Sequence, residues 1–485
     1  MKLKNAAQLF RYALTILTMI CLVACKKQLI LDAPTNTKNE YVIYDTDANA
    51  ATALAGIYIT MSSNNLWSLC LYPGLSADEL MPYSGLQNLP IITAYYRNSL
   101  TSRNVAEYDY WGILYPVIYQ VNSAIEGLSR SVKLTPSVKQ QLLGEAVFLR
   151  AFCYFYLVNL YGDVPLLLTT NYEINRSMPR TLESEVWKQI VVDLKDSEQM
   201  LSPNYLDGTV SQLSNDRVRA TKWAATALLA RVYLYTKDYT NAEIKASEVI
   251  GNTELYTLPQ LSDVFLKNSS ESIWQLQPVN PGLNTIIATY FVVPTTGFNS
   301  DRAVHLSENL INQFEAGDSR KDKWTNSVVV NTKKYYYPYK YKVSESNEPV
   351  TEYTTMIRLA ELYLIRAEAR IRNSNISGGI EDLNSLRDRA RSSATTDLPN
   401  PLPSISTNLS LEQALVAVFH ERQTELFAEW GHRWLDIKRT GMVDEIMKEV
   451  TPTKGGIWNS NWAYYPIPLA DVQRNPNLKQ NPGYN

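Results

Sequence analysis

The chain reads as mainly α, built from paired antiparallel helices that carry a loop-rich insertion containing short β segments. Three observations lead there. Between Ala146 and Tyr161 every residue is apolar or aromatic except Arg150 and Asn159, so a helix here is hydrophobic all round and must be enclosed by other helices. Small residues recur at one offset in two later stretches, Ala230 with Ala242 and Ala367 with Gly379. Between Gly251 and about Thr351 the helical rhythm gives way to β-prone runs split by Pro, Gly and Asn. With 485 residues, 45% of them hydrophobic, the chain is long enough to bury a large core.

Taken in order, Met1 to Ala24 sets Lys2, Lys4 and Arg11 before an apolar run from Ala13 to Val23, the pattern of an export signal. Its ending, LVAC, resembles the bacterial lipobox, which implies that Cys25 is lipidated and becomes the first residue of the mature protein. Acyl chains there would hold a folded domain at a bilayer with no spanning helix. Residues 25–39 then form the lipidated cysteine and a polar tether, and 40–485 a single domain. Within it the helical scaffold covers about 40–250 and 352–450, the insertion about 251–351, and a Pro- and Asn-rich C-terminal coil about 451–485.

Ala50, Leu54, Ile57 and Tyr58 give Asp47 to Met61 a helical period. Pro73, Pro82 and Pro90 then exclude a long helix, so Trp67, Tyr72, Tyr83, Tyr95 and Tyr96 are expected on loops. Val105 to Ser129 carries Trp111, Leu114, Ile118, Val121 and Ile125 on one face and should pair with the next helix. That helix starts at Thr135–Pro136, an N-cap with proline in the first turn, and ends at Gly162 before Pro165. Its apolar part is only ~24 Å long and contains an arginine, which favours a core post over a membrane span. The pair around Ala230 and Ala242 matches tetratricopeptide spacing, in which small residues let two helices touch. Thr240 with Glu243 reads as its capping box, and Ser410 with Gln413 as another. In the insertion, SIWQLQ, TIIATYFVV and KKYYYPYKY are the strand candidates.

The totals exclude several functions. Formal charge is −2, from 46 basic and 48 acidic residues, with no basic patch for nucleic acid. Four cysteines, two of them in the leader, leave Cys70 and Cys153; Cys153 lies in the apolar helix and reads as a small filler. Three histidines and no HExxH pattern leave little to build a metal site, so no cofactor or metal is expected. The charged cluster Glu421, Arg422, Glu425, Glu429, His432, Arg433 and Asp436 reads as structural, its carboxylates pairing with core arginines such as Arg150 and Arg358. A glycosidase needs two carboxylates about 5–9.5 Å apart across a cleft. Asp78 and Glu79 are the loop pair nearest the aromatics, but adjacent extended residues point opposite ways, and a solvated turn is the expectation for them.

The string HERQTELFAEWGHRWLDIKRTG, residues 420–441, resembles a signature of the SusD/RagB nutrient-binding outer-membrane lipoproteins of the Bacteroidetes. EAVFLRAFCYFYLVNLYGDVPL from Glu145, DSRKDKW from Asp318, RLAELYLIRAEA from Arg358 and the closing YYPIPLADVQRNPNLKQNPGY agree with it, in family order. The resemblance implies a SusD-like fold of tetratricopeptide-like pairs bearing an irregular ligand-binding half. It also implies a protein lipid-anchored at the outer membrane, facing the cell exterior, that acts as a lid on a SusC-like TonB-dependent transporter. Such a protein captures oligosaccharides, or peptides in some relatives, and catalyses nothing. One departure is that Lys26 and Lys27 precede the first acid, Asp32, where surface-exposed members often carry acidic residues early.

With 32 Tyr against 10 Phe, most rings can stack on a sugar and hydrogen-bond to it at once. The ligand-binding candidates, chosen by loop placement, are Trp67, Tyr83, Tyr95, Tyr96, Tyr290, Phe298 and Trp324, with Arg97, Asn98 and Asn299 as polar partners. For any one of these rings, packing within its own loop is the competing role. A helical-repeat scaffold for protein partners would instead present a smooth concave groove.

Overall fold

Helix α1 (Asp47–Ser63) starts at Thr46, whose hydroxyl accepts the Asn49 N–H, and buries Ala50, Leu54, Ile57 and Met61. It opens a computed structural model that describes residues 43–105 and 110–484. The leader, Cys25 and the tether lie outside the described residues. After α1 the aromatic stretch forms short helical turns, Asn65–Cys70, Tyr72–Ser76 and Pro90–Tyr96, around strand β1 (Leu80–Pro82). The prolines do prevent a long helix. The rings, however, sit on these turns, and Trp67, Tyr72 and Tyr95 are buried where loops were expected to display them.

Helix α2 (Tyr110–Arg130) follows; Val105, the expected start, is a turn residue. Helix α3 (Pro136–Tyr161) is the all-apolar post. By length and composition it could cross a membrane, but 94% of its most apolar window is buried inside the protein, which settles it as the core. Pro136 occupies the first turn and Gly162, at φ 71°, ends the helix. Thr135 stands at the N-cap without using its hydroxyl there; its N–H donates to Asp47 Oδ1 at 2.9 Å. Arg150 survives in this apolar helix because Asp193 on α4 (Glu183–Met200) receives its Nε and Nη2, each at 2.8 Å. That corrects its expected pairing with the C-terminal carboxylates.

Helices α5 (Lys222–Tyr235) and α6 (Tyr239–Ile250) form the next pair. Asp238 caps α6 by accepting the Asn241 N–H, so Thr240 is already the second residue of the helix and makes no capping box. Aspartate at N-cap is as good as threonine, and it comes first in the chain.

The chain then leaves the helical stack through β2 (Ser272–Leu276), β3 (Val304–Leu306), β4 (Thr325–Val330), β5 (Lys333–Pro338) and β6 (Thr354–Arg358). These make three two-stranded antiparallel sheets, β1–β3, β2–β6 and β4–β5. The TIIATYFVV run forms a helix at Ile286–Phe291, capped by Thr285, where a strand was expected. Short apolar runs do not distinguish the two by period. Trp274 on β2 sets its ring edge-on to Phe148 and Phe152 of α3, at 5.0 and 5.2 Å, and so ties the insertion to the post.

The scaffold resumes with α7 (Leu359–Arg372), α8 (Ile376–Ala390), α9 (Leu411–Leu426), α10 (His432–Arg439) and α11 (Val443–Thr453). From α2 to α8 each helix packs on the next, including α6 on α7 across the insertion, so repeats separated in sequence are continuous in space. A Cβ on Gly379 would lie 2.7 Å from the Ala367 carbonyl oxygen, which is why the α7–α8 contact needs glycine there. Ser410 and Gln413 form the capping box of α9. Cys70 and Cys153 are buried free thiols.

At the joint between insertion and scaffold lies a buried network of charges. Arg358, at the end of β6, donates to Glu271, Glu425 and Glu429 at 2.7–2.8 Å. Arg320 reaches Asp318, Glu421 and Glu425, Arg389 bridges Glu271 and Glu425, and Lys340 pairs with Glu429. Burial opposes the charge on Glu425, yet Arg389, Arg358 and Arg320 hold its carboxyl well below the usual range. Replacing Arg358 with Met leaves three buried carboxylates short of a cation, and should cost about 3–5 kcal/mol in urea unfolding. Arg358→Lys should recover only part of it, because a single ammonium cannot reproduce the forked geometry.

Candidate functional site

Tyr83, at the end of β1, continues the β1–β3 ladder by donating its N–H to the Ala303 carbonyl at 2.8 Å. Its ring stacks on Phe298 with centroids 4.4 Å apart and planes at 16°. Tyr335, from β5, stands edge-on to both, 5.3 Å from Tyr83 and 5.5 Å from Phe298. All three rings are half-buried, so the cluster has an open face. Gly297, at φ 96°, turns the chain to deliver Phe298, and Asn299 closes the turn by accepting the Asp301 and Arg302 N–H groups. His305 on β3 backs Tyr335 at 5.0 Å.

Beside the rings opens a cleft of about 610 Å³ whose lining includes Tyr335, His305, Tyr96, Asp78, Arg433 and Lys454. Asp78 accepts Arg433 Nε and Nη2 at 2.7 and 2.8 Å and Asn309 Nδ2 at 3.1 Å. Burial works against its charge, but the guanidinium holds its carboxyl below the usual range. Lys454 donates to the carbonyls of Leu75, Ser76 and Ala77, fixing the C-terminal end of the Tyr72–Ser76 turn, and burial pulls its pKa down to about 7. The His305 ring keeps Nδ1 on the Leu306 carbonyl at 2.8 Å, and burial lowers its pKa, so it is neutral near pH 7.

Asp78 and Glu79 are therefore not the solvated turn expected of them. Glu79 is 2% exposed and burial, reinforced by Asp78, pushes its pKa up to about 8. One carboxylate is held in a forked ion pair and the other is a buried neutral acid. His432 in the C-terminal cluster is also buried, and burial with Arg231 keeps it well below its ordinary pKa. Arg422 and Asp436 pair with each other at 2.6 Å.

The remaining sequence candidates divide. Tyr96 is half-buried at the cleft, under the Lys454 ammonium. Tyr290 stacks on Trp67 at 3.9 Å. Tyr95 is buried against Tyr72, and Asn98 spends its amide on the Ser76 carbonyl and Thr451 hydroxyl. Trp324 is fully buried, donates to the Leu261 carbonyl and has Lys340, Arg358 and Arg389 over its faces. Trp324, Tyr95 and Asn98 thus serve the core, because proximity to prolines in sequence does not report exposure. Arg97 and Asn299 are exposed. Tyr335, His305 and Arg433 were missed as site residues; the run of tyrosines in KKYYYPYKY, alternating across a strand, was the available signal for the first.

The fold and cleft define a class of protein, a helical-repeat scaffold that holds an irregular, ring-lined binding region. The chain belongs to the SusD/RagB family. The profile of the SusD family matches residues 288–484, and one described as starch-binding, associating with the outer membrane, matches 35–234. The SusD-like protein P25 of Formosa agariphila is 23% identical, over 91% of this chain and 92% of its own. The starch-binding protein SusD of Bacteroides thetaiotaomicron is 25% identical, over 74% of this chain and 75% of its own. The structure of a laminarin-binding SusD-like protein superposes with a TM-score of 0.73 at 22% identity, covering 91% of this chain and all of that one.

An exposed glutamate loses its proton near pH 4.5, whereas folded Glu79 keeps its own to about pH 8. The folded state thus binds more protons in that window, and the stabilisation from Glu79 is full below it and is lost as pH rises through it. Glu79→Gln, which preserves the neutral shape, should gain on the wild type between about pH 5 and 8 by up to about 1.4 kcal/mol per pH unit. Urea unfolding at both pH values measures this; parallel pH profiles for the two proteins would count against a neutral Glu79.

Proposed function

We propose that the protein is a lipid-anchored, glycan-binding protein of the outer membrane that captures oligosaccharides at the Tyr83–Phe298–Tyr335 cluster. It faces the cell exterior and passes its ligand, chemically unchanged, to a SusC-like TonB-dependent transporter. The observation that carries this reading is the open ring cluster set beside a cleft with fixed polar groups. Aromatic faces suit the C–H side of a pyranose ring, and the cleft suits its hydroxyls. Arg433 uses Nε and Nη2 on Asp78, which leaves Nη1 as an oriented donor for a sugar hydroxyl. His305 Nδ1 faces a carbonyl that can only accept, so Nδ1 carries the proton and Nε2 is left as an acceptor.

Tyr96 and Tyr290, both half-buried, extend the candidate surface, with Trp67 buried behind Tyr290 and Arg97 and Asn299 as exposed polar groups. The names of two relatives, one starch-binding and one laminarin-binding, favour a glucan as ligand. The basic-then-apolar leader ending in LVAC supports the anchor at Cys25 and an N-terminal leader of residues 1–24. The transporter partner rests on the family resemblance. Catalysis by the Asp78–Glu79 pair is disfavoured by its state, one carboxylate ion-paired and the other protonated.

Tyr335→Ala and Phe298→Ala should each weaken binding of starch or laminarin oligosaccharides about tenfold, roughly the worth of one aromatic contact, with the thermal midpoint little changed. Affinity electrophoresis over a glycan panel reads this out. Wild-type binding by both variants, or capture of peptides and no glycan, would remove the cluster from the saccharide role. Cys25→Ser should move the protein from the membrane fraction to the soluble one and abolish metabolic acyl labelling.

A further inference from the structure

A second cavity, of about 470 Å³, is bounded by the start of α2, the segment after α3 and the C-terminal stretch, where Leu469–Arg474 forms a short helix in place of the expected coil. It shares no lining residue with the cleft beside Tyr335. Trp111 and Tyr115 give it an aromatic wall, their rings 4.8 Å apart at 53°. Tyr172, 71% exposed, stands at the rim with Arg474 and Asp471.

Two polar groups in this lining have no partner. Trp111 is only 6% exposed; its backbone N–H donates to the Tyr161 hydroxyl at 3.1 Å, but its indole Nε1–H has no acceptor among the described residues. Asn175 gives its Nδ2 to the Thr169 carbonyl at 2.7 Å, which leaves its Oδ1 buried with no donor. The Tyr115 hydroxyl, by contrast, is already spent on the Pro165 carbonyl at 2.8 Å. Native structures seldom leave a buried acceptor unmet, and Asn175 Oδ1 shares its lining with an indole N–H that no described protein group accepts, a pairing that points to a ligand able to donate and to accept.

We propose that this cavity is a second saccharide-binding site, with Trp111 Nε1–H and Asn175 Oδ1 as its specificity-determining donor and acceptor. An apolar ligand would leave both groups unmet, and a simple anion, though Arg176 and Arg474 would attract it, has no proton to donate to Asn175. A pyranose unit offers a C–H face for the rings and hydroxyls that donate and accept. The cavity volume falls in the range of small-ligand sites, about 300–1,000 Å³. The inference takes only its choice of probe from the glycan reading of the first cleft.

The test uses the chain beyond the export signal, labelled with nitrogen-15 and titrated with maltohexaose and laminarihexaose. The Trp111 indole signal is identified as the one lost in Trp111→Phe. It should shift saturably with at least one of the two sugars, and should still do so when Phe298→Ala and Tyr335→Ala have together removed the first cluster. Asn175→Ala should weaken that second-site binding about tenfold. An indole signal unmoved by millimolar sugar overturns the proposal, whatever the first site does. A signal that moves with short peptides and with neither sugar overturns it as well.

Discussion

The structure turns on one constraint, the need to neutralise several buried carboxylates. Glu271, Glu421, Glu425 and Glu429 come from two separate parts of the chain, and Arg320, Arg358, Arg389 and Lys340 from four. None of these charges can stay buried alone, since an unpaired ion in such surroundings costs several kcal/mol. The network therefore closes only when the insertion, the α7–α8 pair and the end of α9 are all in register. Hydrophobic burial would tolerate small slides between these parts; forked ion pairs at 2.6–2.8 Å do not.

That register is what aims the ring cluster. The hairpin β4–β5 has one foot at Trp324 and the other at Lys340, and the Tyr339 N–H closes on the Trp324 carbonyl at 2.7 Å. Trp324 lies under the guanidinium groups of Arg358 and Arg389, and Lys340 ends in the pair with Glu429. Both feet are thus set in the charge network while Tyr335, on the arm between them, stays half-exposed. The hairpin arm is thus held by groups buried away from the open face of the rings.

This division explains how much the sequence disclosed. The post at α3, the Ala230–Ala242 and Ala367–Gly379 pairs and the Ser410 capping box were legible because each follows from local period or spacing. The signature around Glu421 to Asp436 was legible as a charge cluster, and its structural role follows from the cost of burying it. Exposure was not legible. Trp324 and Tyr83 look alike in a list of loop aromatics, yet one is sealed beneath three cations and the other faces outward, and only long-range packing separates them. His305 and Arg433 lie far from Asp78 in sequence, so a cleft that depends on all three leaves no motif.

The Asp78–Arg433 pair is where these two kinds of information meet. Arg433 begins as part of the C-terminal signature, on the α10 helix whose neighbours Arg422 and Asp436 pair within the core. It leaves that core to hold Asp78, and so fixes the residue that precedes Glu79 and β1. Asp78 in turn lends its backbone carbonyl to the Ser307 hydroxyl, and the Glu79 carbonyl accepts the Ser307 N–H at 2.8 Å. These bonds join the first aromatic segment to the strand that carries His305. A single arginine thereby ties the first aromatic segment to the helical core, and its guanidinium also lines the cleft.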